Sequence, residues 1–90
     1  MSNIHKIDLP NKTLILIELT YMQKHSVTLS GHPTSISIER EFWDILKKIA
    51  KNRNQTMNSL ISDLDKKRQG NLSSAIRLFV LREVQLKSEE

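Results

Sequence analysis

Near residue 39 the chain changes period. From His25, apolar and polar residues alternate: Val27 and Leu29 share one face, while Ser26, Thr28 and Ser30 share the other. Ser30-Gly31-His32-Pro33 interrupts the pattern. Glycine there supplies free φ, and proline lacks an N–H and suits a strand's first residue or an edge. Alternation then resumes, with Thr34, Ile36 and Ile38 against Ser35 and Ser37. Residues 25–38 are therefore one long bent strand or a hairpin. Directly after them Phe42, Trp43, Ile45, Leu46, Ile49 and Ala50 recur every three to four residues. Glu41, Asp44, Lys47, Lys48 and Lys51 lie opposite, acids early and bases late as the helix dipole prefers. This predicts an amphipathic helix over about 40–53.

A ribbon with two isoleucines on one face cannot bury itself. The rest of the chain offers limited help. It has 90 residues, enough for one domain, and buries only roughly 60–65% of its unfolded surface. There is no cysteine, hence no disulfide and no thiolate zinc site. The aromatics are Tyr21, Phe42, Trp43 and Phe79. Such a core points to oligomerisation.

Two further helices follow. After the polar break Asn52 to Gln55, Thr56 is a good N-cap, with Met57, Leu60, Ile61 and Leu64 on one face of a helix of about 57–68. Lys66-Lys67-Arg68 closes it and Gly70 stops it. Asn71 caps a third helix. Its residues Leu72, Ala75, Ile76, Phe79, Val80 and Leu81 are apolar on more than one face, which suits a subunit interface. Gln85 to Glu90 reads as polar tail.

Residues 1–21 stand apart. Their two lysines and two acids cancel, so the net charge of +4 sits on the remainder. The β-branched and aliphatic run from Leu14 to Thr20 is either a strand buried on both faces, which could add to the ribbon's sheet, or the start of a helix, and Met22 is a candidate translation start. The expected division is 1–21 extension, 22–86 domain and 87–90 tail. No run approaches the roughly 20 apolar residues of a membrane span, and Met1 to Pro10 has no signal-peptide core, so a cytoplasmic chain with no membrane partner is expected.

The residues for catalysis are missing. Two glycines cannot build a phosphate-cradling loop, and no serine sits in a strand–turn–helix elbow. His25 and His32 could face one another across the turn, but a third metal ligand is absent. The expectation is no enzyme, no metal and no cofactor. The basic balance, with a pI near 9.6, favours an anionic partner.

The string Thr34-Ser-Ile-Ser-Ile-Glu-Arg-Glu-Phe-Trp-Asp-Ile-Leu-Lys-Lys-Ile-Ala50, followed by Thr56-Met-Asn-Ser-Leu-Ile61, resembles the ribbon-helix-helix superfamily of bacterial repressors, typified by Arc and the methionine repressor. Ser26-Val-Thr-Leu, Gly31-His32, Phe42-Trp43-Asp44 and Asn71-Leu-Ser-Ser-Ala-Ile-Arg77 are similar to a set of small bacterial members with little assigned biology. The likeness covers roughly 24–84. It implies a mainly α fold with a short β ribbon and a third C-terminal helix. The expected assembly is an intertwined homodimer whose antiparallel sheet forms between chains.

The resemblance also implies a site. The ribbon would enter the major groove of double-stranded DNA with Pro33, Ser35 and Ser37 facing the bases. The backbone at Thr56, Met57 and Asn58 would hold a phosphate, where free N–H groups and a positive dipole end attract an anion. Lys24, Arg40 and Arg53 would add phosphate contacts. Ile36, Ile38, Trp43, Leu46, Ile61, Ile76 and Phe79 would form the dimer core. Both base-facing serines discriminate poorly, and position 33 is proline where related sequences often carry arginine, so affinity would rest on phosphates with weak sequence preference. The alternative is a protein-interaction module such as an antitoxin, in which the ribbon only dimerises and the third helix or residues 1–21 dock a protein partner. Assembly beyond the dimer is also open.

Overall fold

A computed structural model describes residues 22–88. The expectations for residues 1–21 and for the last two residues lie outside that range. Strands β1 (Met22–Leu29) and β2 (His32–Glu39) are followed by helices α1 (Arg40–Asn52), α2 (Met57–Lys67) and α3 (Leu72–Ser88).

The ribbon is a hairpin, which resolves the two readings of 25–38. Ser30 and Gly31 form the turn with φ of 52° and 81°. Two consecutive left-handed residues are the type I′ geometry, whose twist matches that of the flanking strands. β1 and β2 pair within one chain, so the ribbon already has two strands before any pairing between chains. β1 also begins three residues before His25, at Met22, which pairs with Glu39.

The turn fixes the hydrogen-bond phase. Leu29 and His32 flank it and exchange both backbone bonds, so the next pair, Thr28 and Pro33, exchanges none. Proline's missing N–H therefore costs the hairpin nothing. The same phase sends Thr28, Ser26 and Lys24 backbone groups to the outer edge of β1, and those of Ser35 and Ser37 to the outer edge of β2.

Each helix begins and ends for a local reason. Glu39, in extended conformation, precedes α1 without a side-chain cap. At the other end Asn54 adopts φ 56°, and Gln55 N–H donates to Ala50 O at 2.9 Å while Asn54 N–H donates to Lys51 O at 3.1 Å. That is a Schellman closure with asparagine in the left-handed position. Thr56 Oγ1 caps α2 by accepting from Ser59 N–H at 3.0 Å. Asn71 Oδ1 caps α3 by accepting from Ser74 N–H at 3.1 Å. α3 runs on to Ser88, through residues the sequence reading assigned to a tail. Gln85, Leu86 and Lys87 are good helix formers with no Gly or Pro among them, so nothing stops the helix at 85.

All helices contribute to one core beneath the inner face of the ribbon. Val27, Leu29, Ile36 and Ile38 pack on Leu46, Ile49 and Ala50 of α1, Leu60 and Ile61 of α2, and Ile76 and Val80 of α3. Of the residues expected in a dimer core, Ile36, Ile38, Leu46, Ile61 and Ile76 are buried already inside a single chain, and Trp43 and Phe79 are partly buried against them. Ile61 is fully enclosed. Ile61→Ala should lower the unfolding free energy by about 2–5 kcal/mol, read by urea titration.

Candidate nucleic-acid interface

Alternation gives the ribbon an outer face of Lys24, Ser26, Thr28, Pro33, Ser35 and Ser37, all exposed. Cross-strand pairing sets Lys24 against Ser37, Ser26 against Ser35 and Thr28 against Pro33. The surface is flat and rich in hydroxyls, with one cation at its end.

Next to it lies the start of α2. Ser59 N–H is taken by the Thr56 side chain and Leu60 N–H by Thr56 O. Among the described residues the amides of Thr56, Met57 and Asn58 have no acceptor, which leaves three donors at the positive end of the helix dipole. The Asn58 side chain does something the sequence did not disclose. Its Oδ1 accepts from Thr28 N–H at 2.7 Å and its Nδ2 donates to Thr28 O at 2.8 Å. It thereby acts as a short piece of neighbouring strand, using the outer-edge groups that the Thr28–Pro33 pair leaves unused. The free amides of α2 and the outer face of the ribbon are held in fixed relation by this one residue. No motif marks an asparagine for that role; only the hairpin's phase does.

The expected cations divide. Lys24 lies on the outer face, and Arg40 is exposed at the first position of α1. Arg53 is turned to α3: its guanidinium stands 3.3 Å from Glu83 and 5.0 Å from the centre of the Phe79 ring. Its sequence position beside Thr56 gave no sign of a partner thirty residues away. Arg77 of α3 reaches back to the ribbon, donating from Nε to Glu39 Oε1 at 2.8 Å. That hydrogen bond holds the Glu39 carboxyl below its ordinary value.

His25, one of the two histidines that could have faced each other across the turn, is turned inward instead. It shares the inner face with Val27 and Leu29, and its ring stacks on Trp43 with centroids 3.6 Å apart and 6° between planes. Its Nε2 is buried without a partner among the described residues. His32 is exposed beside the turn, four positions along the ladder, about 14 Å away at strand rise, so the two histidines do not face each other. Desolvation lowers the His25 imidazole below its usual 6.5, Lys47 adds to this, and Asp44 opposes it.

Two tests follow from this geometry. A histidine with a lowered folded-state pKa binds fewer protons folded than unfolded. Stability is therefore complete above about pH 6.5 and declines as pH falls below it. Urea unfolding followed by Trp43 fluorescence should show this decline, and His25→Phe, which keeps the stack without the titration, should flatten it. Asn58→Ala should cost about 1–2 kcal/mol and remove protection of the Thr28 amide in hydrogen exchange.

Comparison with known proteins agrees with this architecture. The sequence profile of the ribbon-helix-helix domain matches residues 22–84. The chain is also similar to the solved structure of an uncharacterized protein from Bordetella pertussis Tohama I, with a TM-score of 0.68 and 27% identity over 90% of this chain and 73% of that one. No protein of curated function matches. With strand, turn and helices in this order and most of its length matched, the chain belongs to the ribbon-helix-helix domain family.

Proposed function

We propose that the chain is a homodimeric DNA-binding protein that acts as a transcriptional regulator, with residues 22–86 as the working unit. One observation carries the reading. The exposed outer face of the ribbon and the three amides at the start of α2, without an acceptor among the described residues, are fastened together through Asn58 and Thr28. A two-stranded ribbon fits the major groove, and a helix N-terminus on the same side fits the flanking phosphate. Ser26, Thr28, Ser35 and Ser37 offer hydroxyls that donate or accept, so they accommodate many base edges and select few. The net charge of +4 per chain, doubled in a dimer, supplies attraction to phosphate. No helix among the described residues is long and apolar enough to cross a membrane.

A second reading has its own support. α3 exposes Leu78, Leu81, Val84 and Leu86, each more than two-fifths accessible. Such residues suit a protein partner, as in an antitoxin, with DNA binding secondary or absent.

The decisive experiment is titration of duplex DNA by fluorescence anisotropy across salt concentrations. Binding should weaken as salt rises, with a log–log slope of about −0.9 for each phosphate neutralised. Ser26→Glu combined with Ser37→Glu should abolish binding without altering the sedimentation behaviour. No binding at about 50 mM salt would reject the DNA reading and leave the protein-partner one.

A further inference from the structure

The proposed DNA contacts use neither the basic run that closes α2 nor Arg82 of α3, yet the fold brings these cations to one cleft. Arg53, just ahead of α2, lies on Phe79 and pairs with Glu83. The start of α2 is therefore level with the middle of α3, and the short link 68–71 joins its end to the start of α3. The two helices run antiparallel, as a helical hairpin. The open cleft between them has a volume of about 560 Å³, within the range of small-ligand sites. Its middle is apolar, with Leu60 and Leu64 on one wall and Ala75, Leu78 and Phe79 on the other. Leu60 is buried at the base, while Leu78 is 49% exposed at the rim.

The ends of the cleft are basic. Lys67 and Arg68 stand at the linked end, Arg53 and Arg82 at the other. Each end has one paired cation and one unpaired. Arg68 is tied to Asp65 and to the Gly70 carbonyl, and Arg53 to Glu83. Lys67 and Arg82 make no ion pair with the described residues. Leu60 to Lys67 covers about 10 Å at helical rise, as does Ala75 to Arg82, so the two ends lie about that far apart. Asp63 is the one acid among the described wall residues, placed between the ends on α2 and held by Gln55 at 2.9 Å. It repels a negative charge at mid-cleft and leaves the two ends to receive one.

We propose that this cleft binds a small dianion with an apolar spine, a dicarboxylate whose two charges reach Lys67 and Arg82 together. This goes beyond the DNA-binding reading and does not rest on it. The spine lies against Leu64, Leu78 and Phe79, where water leaves apolar surface. A monoanion leaves one cation unmatched, and a short dianion cannot reach both. The cleft thus selects by the distance between charges as well as by their number.

Titration calorimetry of the full chain without DNA tests this, with decanedioate as the probe. One molecule should bind per chain, with a dissociation constant below about 1 mM. Decanoate, which keeps the spine and one carboxylate, should bind about tenfold more weakly. Butanedioate, which keeps both carboxylates on a short spine, should not saturate below about 10 mM. Lys67→Gln and Arg82→Gln should each bring decanedioate down to the affinity of decanoate. Both side chains are exposed, so the helical signal should stay unchanged. Leu78→Asp, which sets a charge at mid-cleft, should abolish binding. Equal affinity for decanoate and decanedioate, saturation by butanedioate in the same range, unchanged affinity in either glutamine variant, or no saturable binding of decanedioate up to about 10 mM would each overturn the proposal. The DNA titration is separate: a chain that binds decanedioate and ignores DNA loses the regulator reading and keeps this site.

Discussion

Everything in this fold depends on the phase of the hairpin ladder. A one-residue slip would turn every side chain of the ribbon over, putting Ile36 and Ile38 in water and Ser35 and Ser37 in the core. The two left-handed residues Ser30 and Gly31 prevent that slip by closing the hairpin after Leu29. From this closure follow three placements that look unrelated in sequence. Pro33 falls where no N–H is needed, Thr28 turns its backbone toward α2, and Ser37 turns its carbonyl toward α3. The two helices meet the ribbon at just those groups.

Burial explains why the helices stay there. The core draws from both strands and all three helices, yet among the described residues it holds eleven buried side chains. A chain of this size has little surplus stability, so polar ties at the ribbon's edges matter more than they would in a larger domain. Asn58 contributes two such bonds at one edge, and Ser73 and Arg77 contribute at the other. Arg53, stacked on Phe79 and paired with Glu83, closes the far side between α1 and α3.

Much of this was legible in the sequence. The period-two stretch, the change to helical spacing at 40, the Thr56 and Asn71 caps and the stop at Gly70 depend on neighbours a few residues apart, and the structure keeps them. What was illegible depends on contacts across the fold. Alternation looks the same in a hairpin and in a strand paired between chains, so the internal pairing of 22–39 could not be separated from an external one. Met22, Gln23 and Lys24 carry too few apolar groups to announce a strand; they are ordered by their partners Glu39, Ile38 and Ser37. His25 reads as polar by type, but its parity with Val27 and Leu29 was the available sign that it faces inward, where Trp43 meets it. The apolar girth of α3 was correctly seen, though only Ile76 and Val80 turn out fully covered within one chain.

The site itself illustrates how a surface poor in reading groups can still be specific in shape. Serine and threonine hydroxyls rotate, so each imposes little on a base edge. What is rigid is the spacing between that face and the amides of Thr56, Met57 and Asn58, because Asn58 belongs to both. Its side chain grips the strand while its own N–H has no acceptor among the described residues. A duplex meeting such a surface would be held first by the distance between groove and phosphate backbone, and bases would matter as they alter that distance. On the proposed DNA-binding reading, sequence preference would then arise more from the local width and flexibility of the DNA than from hydrogen-bond matching.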